Sequence, residues 1–150
     1  MASYVLMIEV SRASCPVVGA RGAVDLVAGR YLYVGSARRA WRSRVARHLR
    51  SEKKVRWHID YILAEPGIKV TKVWINPVDC ECATAEDVLQ LPEIFLPGQR
   101  LGSSDCRCLS HFIGVDGELV SLEGVLRRRG YETLAWRRVG GDVEILDEVG

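Results

Sequence analysis

The apolar positions of the chain fall into short runs broken by one helical stripe. Tyr4 to Val10 is a continuous apolar run with β-branched members, too short for a helix, and reads as a buried strand. Ser11 to Gly22 holds Pro16, Gly19 and Gly22 and reads as a loop, followed by a short strand over Ala23 to Val27. Tyr31 to Val34 is an aromatic-rich strand expected to run antiparallel to the first. After Gly35 and Ser36 the period changes. Trp41, Val45 and Leu49 line one helix face, with Ser36 as the expected N-cap. Trp57 to Leu63 fits a second helix, stopped by Glu65-Pro66-Gly67. Lys69 to Ile75 alternates as a strand, and a helix runs from about Cys80 to Leu89. Leu91 to Ser104, with Pro92, Pro97, Gly98 and Gly102, reads as irregular. His111 to Val115 reads as a strand, Leu119 to Arg129 as a helix, and Tyr131 to Val139 with Val143 to Leu146 as a closing hairpin. This order predicts an α/β fold: a small central, mainly antiparallel β-sheet flanked by helices, with a C-terminal helix and hairpin extension.

A length of 150 residues suits a single domain over 1–150, with its core in 1–113 and the extension in 114–150. The share of hydrophobic residues, 48%, is that of a globular chain and excludes a disordered one. No apolar run approaches the roughly 20 residues that span a bilayer, and Met1 to Val10 carries no basic leader region. A cytoplasmic protein without membrane association is expected.

Charge changes the picture locally. The net charge is only +2, yet Arg38 to Arg56 holds nine basic residues against Glu52, a local +8 that leaves −6 for the rest. Such a stripe fits either a polyanionic partner or a solvated helix face. If the partner is nucleic acid, Arg38, Arg39, Arg42, Arg47, Arg50, Lys53 and Lys54 are the residues expected to meet phosphates. The cysteines are five, Cys15, Cys80, Cys82, Cys106 and Cys108, an odd count that argues against a disulfide framework. Cys80-Glu81-Cys82 and Cys106-Arg107-Cys108 with His111 offer metal-ligand chemistry. The C-x-C spacing is tighter than structural zinc usually takes, so inert thiols are expected and zinc is not.

One constellation combines several chemistries. Tyr33 ends a strand, Gly35 follows, and Arg44 and His48 share a helix face four residues apart. A hydrogen-bonded tyrosine or histidine orients or deprotonates water, and an arginine fork stabilises the charge that builds on a phosphate under attack. Singly, each of these residues is as well explained by packing or by a solvated helix face.

Tyr33-Val34-Gly35-Ser36-Ala37, followed by Arg44 and Arg47-His48-Leu49, resembles the second half of the GIY-YIG nuclease signature, whose first half would fall at Ser3-Tyr4-Val5. The chain is similar to a little-characterised prokaryotic branch of that superfamily through Arg56-Trp57-His58-Ile59-Asp60-Tyr61, Glu81-Cys82, Ser104-Asp105-Cys106-Arg107-Cys108 and Ser110-His111-Phe112. The resemblance covers about residues 3–113. It implies that Tyr4 and Tyr33 engage the attacking water, that Arg44 contacts the scissile phosphate, and that His48 accepts a proton or orients water. It also implies that Glu81 holds one divalent ion, Mg2+ or Mn2+, with Asp79 and Glu86 as neighbouring rivals. Some members of the branch are fused to a DNA-repair glycosylase, which points to DNA rather than RNA and to a repair protein as partner. The first motif departs from the pattern, with Ala2 and Ser3 in place of its glycine and isoleucine, and the interval between the motifs is long. The reading expected is therefore a metal-dependent endonuclease. Its rivals are a non-catalytic nucleic-acid-binding module on the same fold and a zinc-holding interaction domain.

Overall fold

The computed structural model describes residues 2–51, 53–103 and 106–146. Glu52, Ser104 and Asp105, quoted above, lie outside the described residues. Strand β1 (Ala2–Val10) is the centre of the molecule. It pairs antiparallel with β2 (Gly29–Ala37) on one side and β3 (Ile68–Asn76) on the other. Strands β4 (Ile94–Phe95), β5 (Phe112–Val115) and β6 (Glu132–Thr133) complete a six-stranded antiparallel sheet in the order β4-β5-β2-β1-β3-β6. Helices α1 (Trp41–Leu49), α2 (His58–Leu63), α3 (Glu81–Leu89) and α4 (Val120–Arg128) flank it. A separate hairpin, β7 (Ala135–Val139) and β8 (Asp142–Leu146), follows.

The two sheet faces explain the unbroken apolar run of β1. Its even positions, Tyr4, Leu6, Ile8 and Val10, pack with Val45 and Leu49 of α1 and Ile59 and Ile62 of α2. Val5 and Met7 turn to the other face, against Val88 of α3 and Leu122, Val125 and Leu126 of α4. A strand covered on both sides has no solvent face to keep polar, and in β1 only Glu9 is exposed.

Several expectations are corrected. Ser36 is not an N-cap, because β2 continues through Ala37: Ser3 pairs with Ser36 and Ala2 with Ala37. Helix α1 begins instead after Ala40, which adopts a left-handed conformation with φ of 49°. The 23–27 segment forms no strand; with the preceding loop it makes two isolated bridges, Ser14 to Leu26 and Val17 to Ala23, that bury Val18, Val24 and Leu26 over the α1 side of the core. The irregular 91–104 stretch contains β4, whose Phe95 lies over Gly114 where a Cβ would collide with its ring. The stretch 131–139 is two strands: β6 joins the sheet, and Arg138 of β7 reaches α1, donating to the Leu49 carbonyl at 2.9 Å.

Candidate active site

The end of the sheet where β1 starts and β2 finishes opens into a cleft of about 820 Å³. Tyr4, Tyr33, Arg44 and Glu81 all line it, together with Ser36, Arg38, Arg39, Arg56, Trp57, His58, Gly102, Ser103 and Cys106. Tyr4 and Tyr33 come from neighbouring strands, with ring centroids 6.3 Å apart. Register puts Tyr4 opposite Gly35, and its ring occupies the space a side chain there would need: a Cβ on Gly35 would overlap Tyr4 Cζ and the hydroxyl oxygen. The Gly35 of the sequence pattern is thus required by a neighbouring side chain. Gly102, with φ of +71°, also approaches Tyr33, whose Cε1 a Cβ there would meet at 2.8 Å.

His48 does not line the cleft. It is buried behind Tyr4, whose hydroxyl lies 2.7 Å from His48 Nε2. Arg44 also hydrogen-bonds the Tyr4 side chain. The guanidinium only donates, so the Tyr4 oxygen accepts from Arg44, and the Tyr4 hydroxyl shares a further hydrogen bond with His48 Nε2. Burial, reinforced by Lys53, Arg47 and Arg44 against the opposing Asp60, pushes the imidazole down to about 3. A ring so hard to protonate orients the hydroxyl rather than storing a proton. Burial likewise raises Tyr4 and Tyr33, and the negative charge of Glu81 adds to both. Both tyrosines are therefore phenols at working pH, suited to orienting water and not to deprotonating it as phenolates.

This imposes a stability profile. Unfolded His48 takes a proton near pH 6.5, and folded His48 only near 3. The unfolded state is then favoured as pH falls through that window, and stability is fully present above it. Urea unfolding between pH 7 and 4.5 should lose up to about 1.4 kcal/mol per pH unit through this residue. His48→Gln should flatten that slope; equal slopes in the two proteins would show that His48 is not buried neutral.

Trp57 organises the cations. The guanidinium carbons of Arg44, Arg47 and Arg56 sit 4.8, 4.3 and 5.5 Å from its ring centre. Arg44 is further held by donating to the Ser36 carbonyl. Arg38, Arg39 and Arg56 are exposed at the rim. Exposed Arg42 stacks on Trp41 at 4.5 Å, Lys54 is exposed, and Arg50 is half-buried. Two of the expected phosphate ligands are engaged within the fold. Arg47 makes a two-pronged contact with Asp60 at 3.0 and 2.8 Å, and Lys53 Nζ donates to the His48 carbonyl at 2.7 Å, closing the end of α1. Asp60 is fully buried and also accepts from the Arg56 and Trp57 backbone N–H groups at 2.8 and 2.9 Å. Burial alone would raise its carboxyl, but Arg47 and the two backbone donors hold it below the ordinary value. Asp60, Trp57, Arg56 and His58 were quoted for the resemblance without a role; that they form one assembly was not visible in their spacing. His58 Nδ1 accepts from the Gly102 N–H at 3.1 Å, joining α2 to the far wall.

Glu81 stands in the first turn of α3, its side chain 24% exposed, and His111 Nδ1 lies 3.4 Å from its Oε1. The rivals fit less well: Asp79 is exposed and bonded to the Glu81 N–H, Glu86 is exposed, and neither lines the cleft. Behind Glu81, Cys82, Cys106, Cys108 and His111 bring their ligand atoms within 4.8 Å of one another, a cluster able to hold a metal ion. The spacing argument against zinc considered each C-x-C by itself, whereas the fold gathers one cysteine from the first pair and two from the second. Cys80 points elsewhere, into a buried polar network with Ser3, Asn76, Thr84 and Tyr131.

The profile of a domain of unknown function, DUF123, matches residues 3–127. The chain belongs to this family. The matched stretch runs through most of α4, so the family domain is longer than the 3–113 core inferred from motifs. No curated protein and no solved structure matches the chain. Among the described residues, no helix is long and apolar enough to cross a membrane.

Proposed function

We propose that this DUF123 domain is a divalent-metal-dependent endonuclease of the GIY-YIG type, hydrolysing phosphodiester bonds in DNA. The observation that carries the reading is the convergence of Tyr4, Tyr33, Arg44 and Glu81, from four elements, on one cleft rimmed by arginines. Tyr33 and Tyr4 hold the attacking water by hydrogen bonds, and His48 fixes the direction of the Tyr4 hydroxyl. Arg44, braced against Trp57, offers its fork to the phosphate as negative charge develops. Arg38, Arg39 and Arg56 draw in and seat the polyanion without reading bases. Glu81 is the carboxylate that lines the cleft among the described residues, with the hard oxygens of Tyr4, Tyr33 and Ser36 also on its walls, a donor set that suits Mg2+ or Mn2+. Such an ion, when bound, would stabilise the leaving oxygen. The setting proposed is cytoplasmic DNA processing or repair, with sequence selectivity supplied by a partner.

Labelled duplex, branched and single-stranded DNA incubated with Mg2+ or Mn2+ should be cut, and Arg44→Ala should abolish the cut while leaving binding in place. Binding without cleavage under every metal would leave the non-catalytic module as the better reading. Binding itself should be strongly electrostatic. If about six phosphates are met, log K against log salt should have a slope near −5 on duplex DNA. A slope near zero would remove the arginine rim as the binding surface.

A further inference from the structure

We infer that Cys82, Cys106, Cys108 and His111 form a closed, four-coordinate zinc site that holds one wall of the cleft and positions Glu81. The four residues come from the first turn of α3, from the 106–108 loop and from the position just before β5. Cys106 Sγ and Cys82 Sγ lie 3.6 and 3.9 Å from His111 Nε2. A tetrahedral zinc with bonds of about 2.3 Å to sulfur and about 2.0 Å to nitrogen separates its ligand atoms by roughly 3.5–3.8 Å. The two sulfur–nitrogen distances are close to that spacing, the four ligand atoms all lie within 4.8 Å of one another, and all four cysteines of the two C-x-C pairs are unoxidised.

His111 carries the second observation. Its side chain is fully buried, Nε2 faces the thiols, and Nδ1 has no hydrogen-bond partner among the described residues, lying instead 3.4 Å from Glu81 Oε1. A histidine that gives one nitrogen to a metal and turns the other N–H to a carboxylate is the ordinary outer-shell arrangement of such centres. Three thiols and one imidazole favour zinc over the hard cations that suit a lone carboxylate. Four protein ligands leave no open position, so the ion is structural. Its binding releases three thiol protons and leaves a centre of net charge −1. The loop it fastens carries Gly102 against Tyr33 and contributes Ser103 and Cys106 to the cleft. His111 is thus a positioning residue: it joins the zinc to Glu81. The site stands whether or not the domain cleaves DNA, because its test reads metal and not turnover.

The whole chain, purified in buffer freed of metals, should contain one zinc per molecule by plasma mass spectrometry. Titration with a mercurial should release that zinc after three thiols are consumed. Exchange into Co2+ should give the visible absorption of a tetrahedral ion and a near-ultraviolet thiolate-to-cobalt band. Cys106→Ser and Cys108→Ser should lose the zinc or the band, while Cys15→Ser keeps both. Should the two serine variants fail to fold, the mercurial stoichiometry and the cobalt spectrum of the unaltered chain decide. Metal-free protein that folds, takes up no Co2+ and shows freely reactive thiols would overturn the site.

Discussion

Cleavage by Glu81→Gln protein is expected to fall on the order of 10³-fold, with duplex binding and melting temperature nearly unchanged. The substitution keeps the shape of the side chain and removes the charge that an oxygen-loving divalent ion needs. The competing explanation is that Glu81 merely complements the N-terminus of α3. That role is worth only about 0.3–1 kcal/mol of stability and makes no demand on turnover. The two therefore separate cleanly: a rate effect at constant stability on one side, a slight stability effect at constant rate on the other. Single-turnover cleavage across Mg2+ concentrations is the measurement. Full activity in the variant would sink the assignment of Glu81, since among the described residues no rival carboxylate lines the cleft.

The second large effect is on folding. Asp60 has no exposed surface and is held by both arms of Arg47 and by two backbone N–H groups. Asp60→Ala strands the Arg47 guanidinium and two amides, and removal of one member of a buried pair costs about 3–5 kcal/mol. Arg47→Ala should cost a similar amount, and the double variant much less than the sum, because the two losses share one cause. Urea midpoints for the three proteins test this. A loss below about 1 kcal/mol in Asp60→Ala would mean that the pair is solvated.

This contact also marks where sequence reading stopped. A count of charges makes Arg38 to Arg56 a uniform basic stripe, and nothing in the spacing tells Arg47, which turns inward to Asp60, from Arg38, which faces the cleft rim. The helical stripe was legible, because Val45 and Leu49 repeat with the period of the helix and are buried. So was the strand Tyr4 to Val10, whose run of apolar residues needs cover on both faces. Ser36 misled because cap propensity is local, whereas pairing of β2 with Ala2 and Ser3 is not. Tyr33 and Arg44 stood out with His48 from the strand–turn–helix order, Tyr4 and Glu81 were readable only through the resemblance, and their shared cleft needed the three-dimensional register. The members of the cysteine cluster were legible as metal-ligand chemistry, but their convergence was not, because ligands from separate elements have no common spacing.

The contact between Tyr4 and Gly35 bears on how such domains are best searched for. The tyrosine ring occupies the volume above the glycine, so the two residues form one steric unit read from two distant places in the chain. A pattern that scores each half separately treats as independent what packing makes conditional. Where a relative has a side chain at the position of Gly35, the partner at the position of Tyr4 must be small or displaced, and with it goes the hydroxyl beside His48. The informative query is the pair of columns taken together.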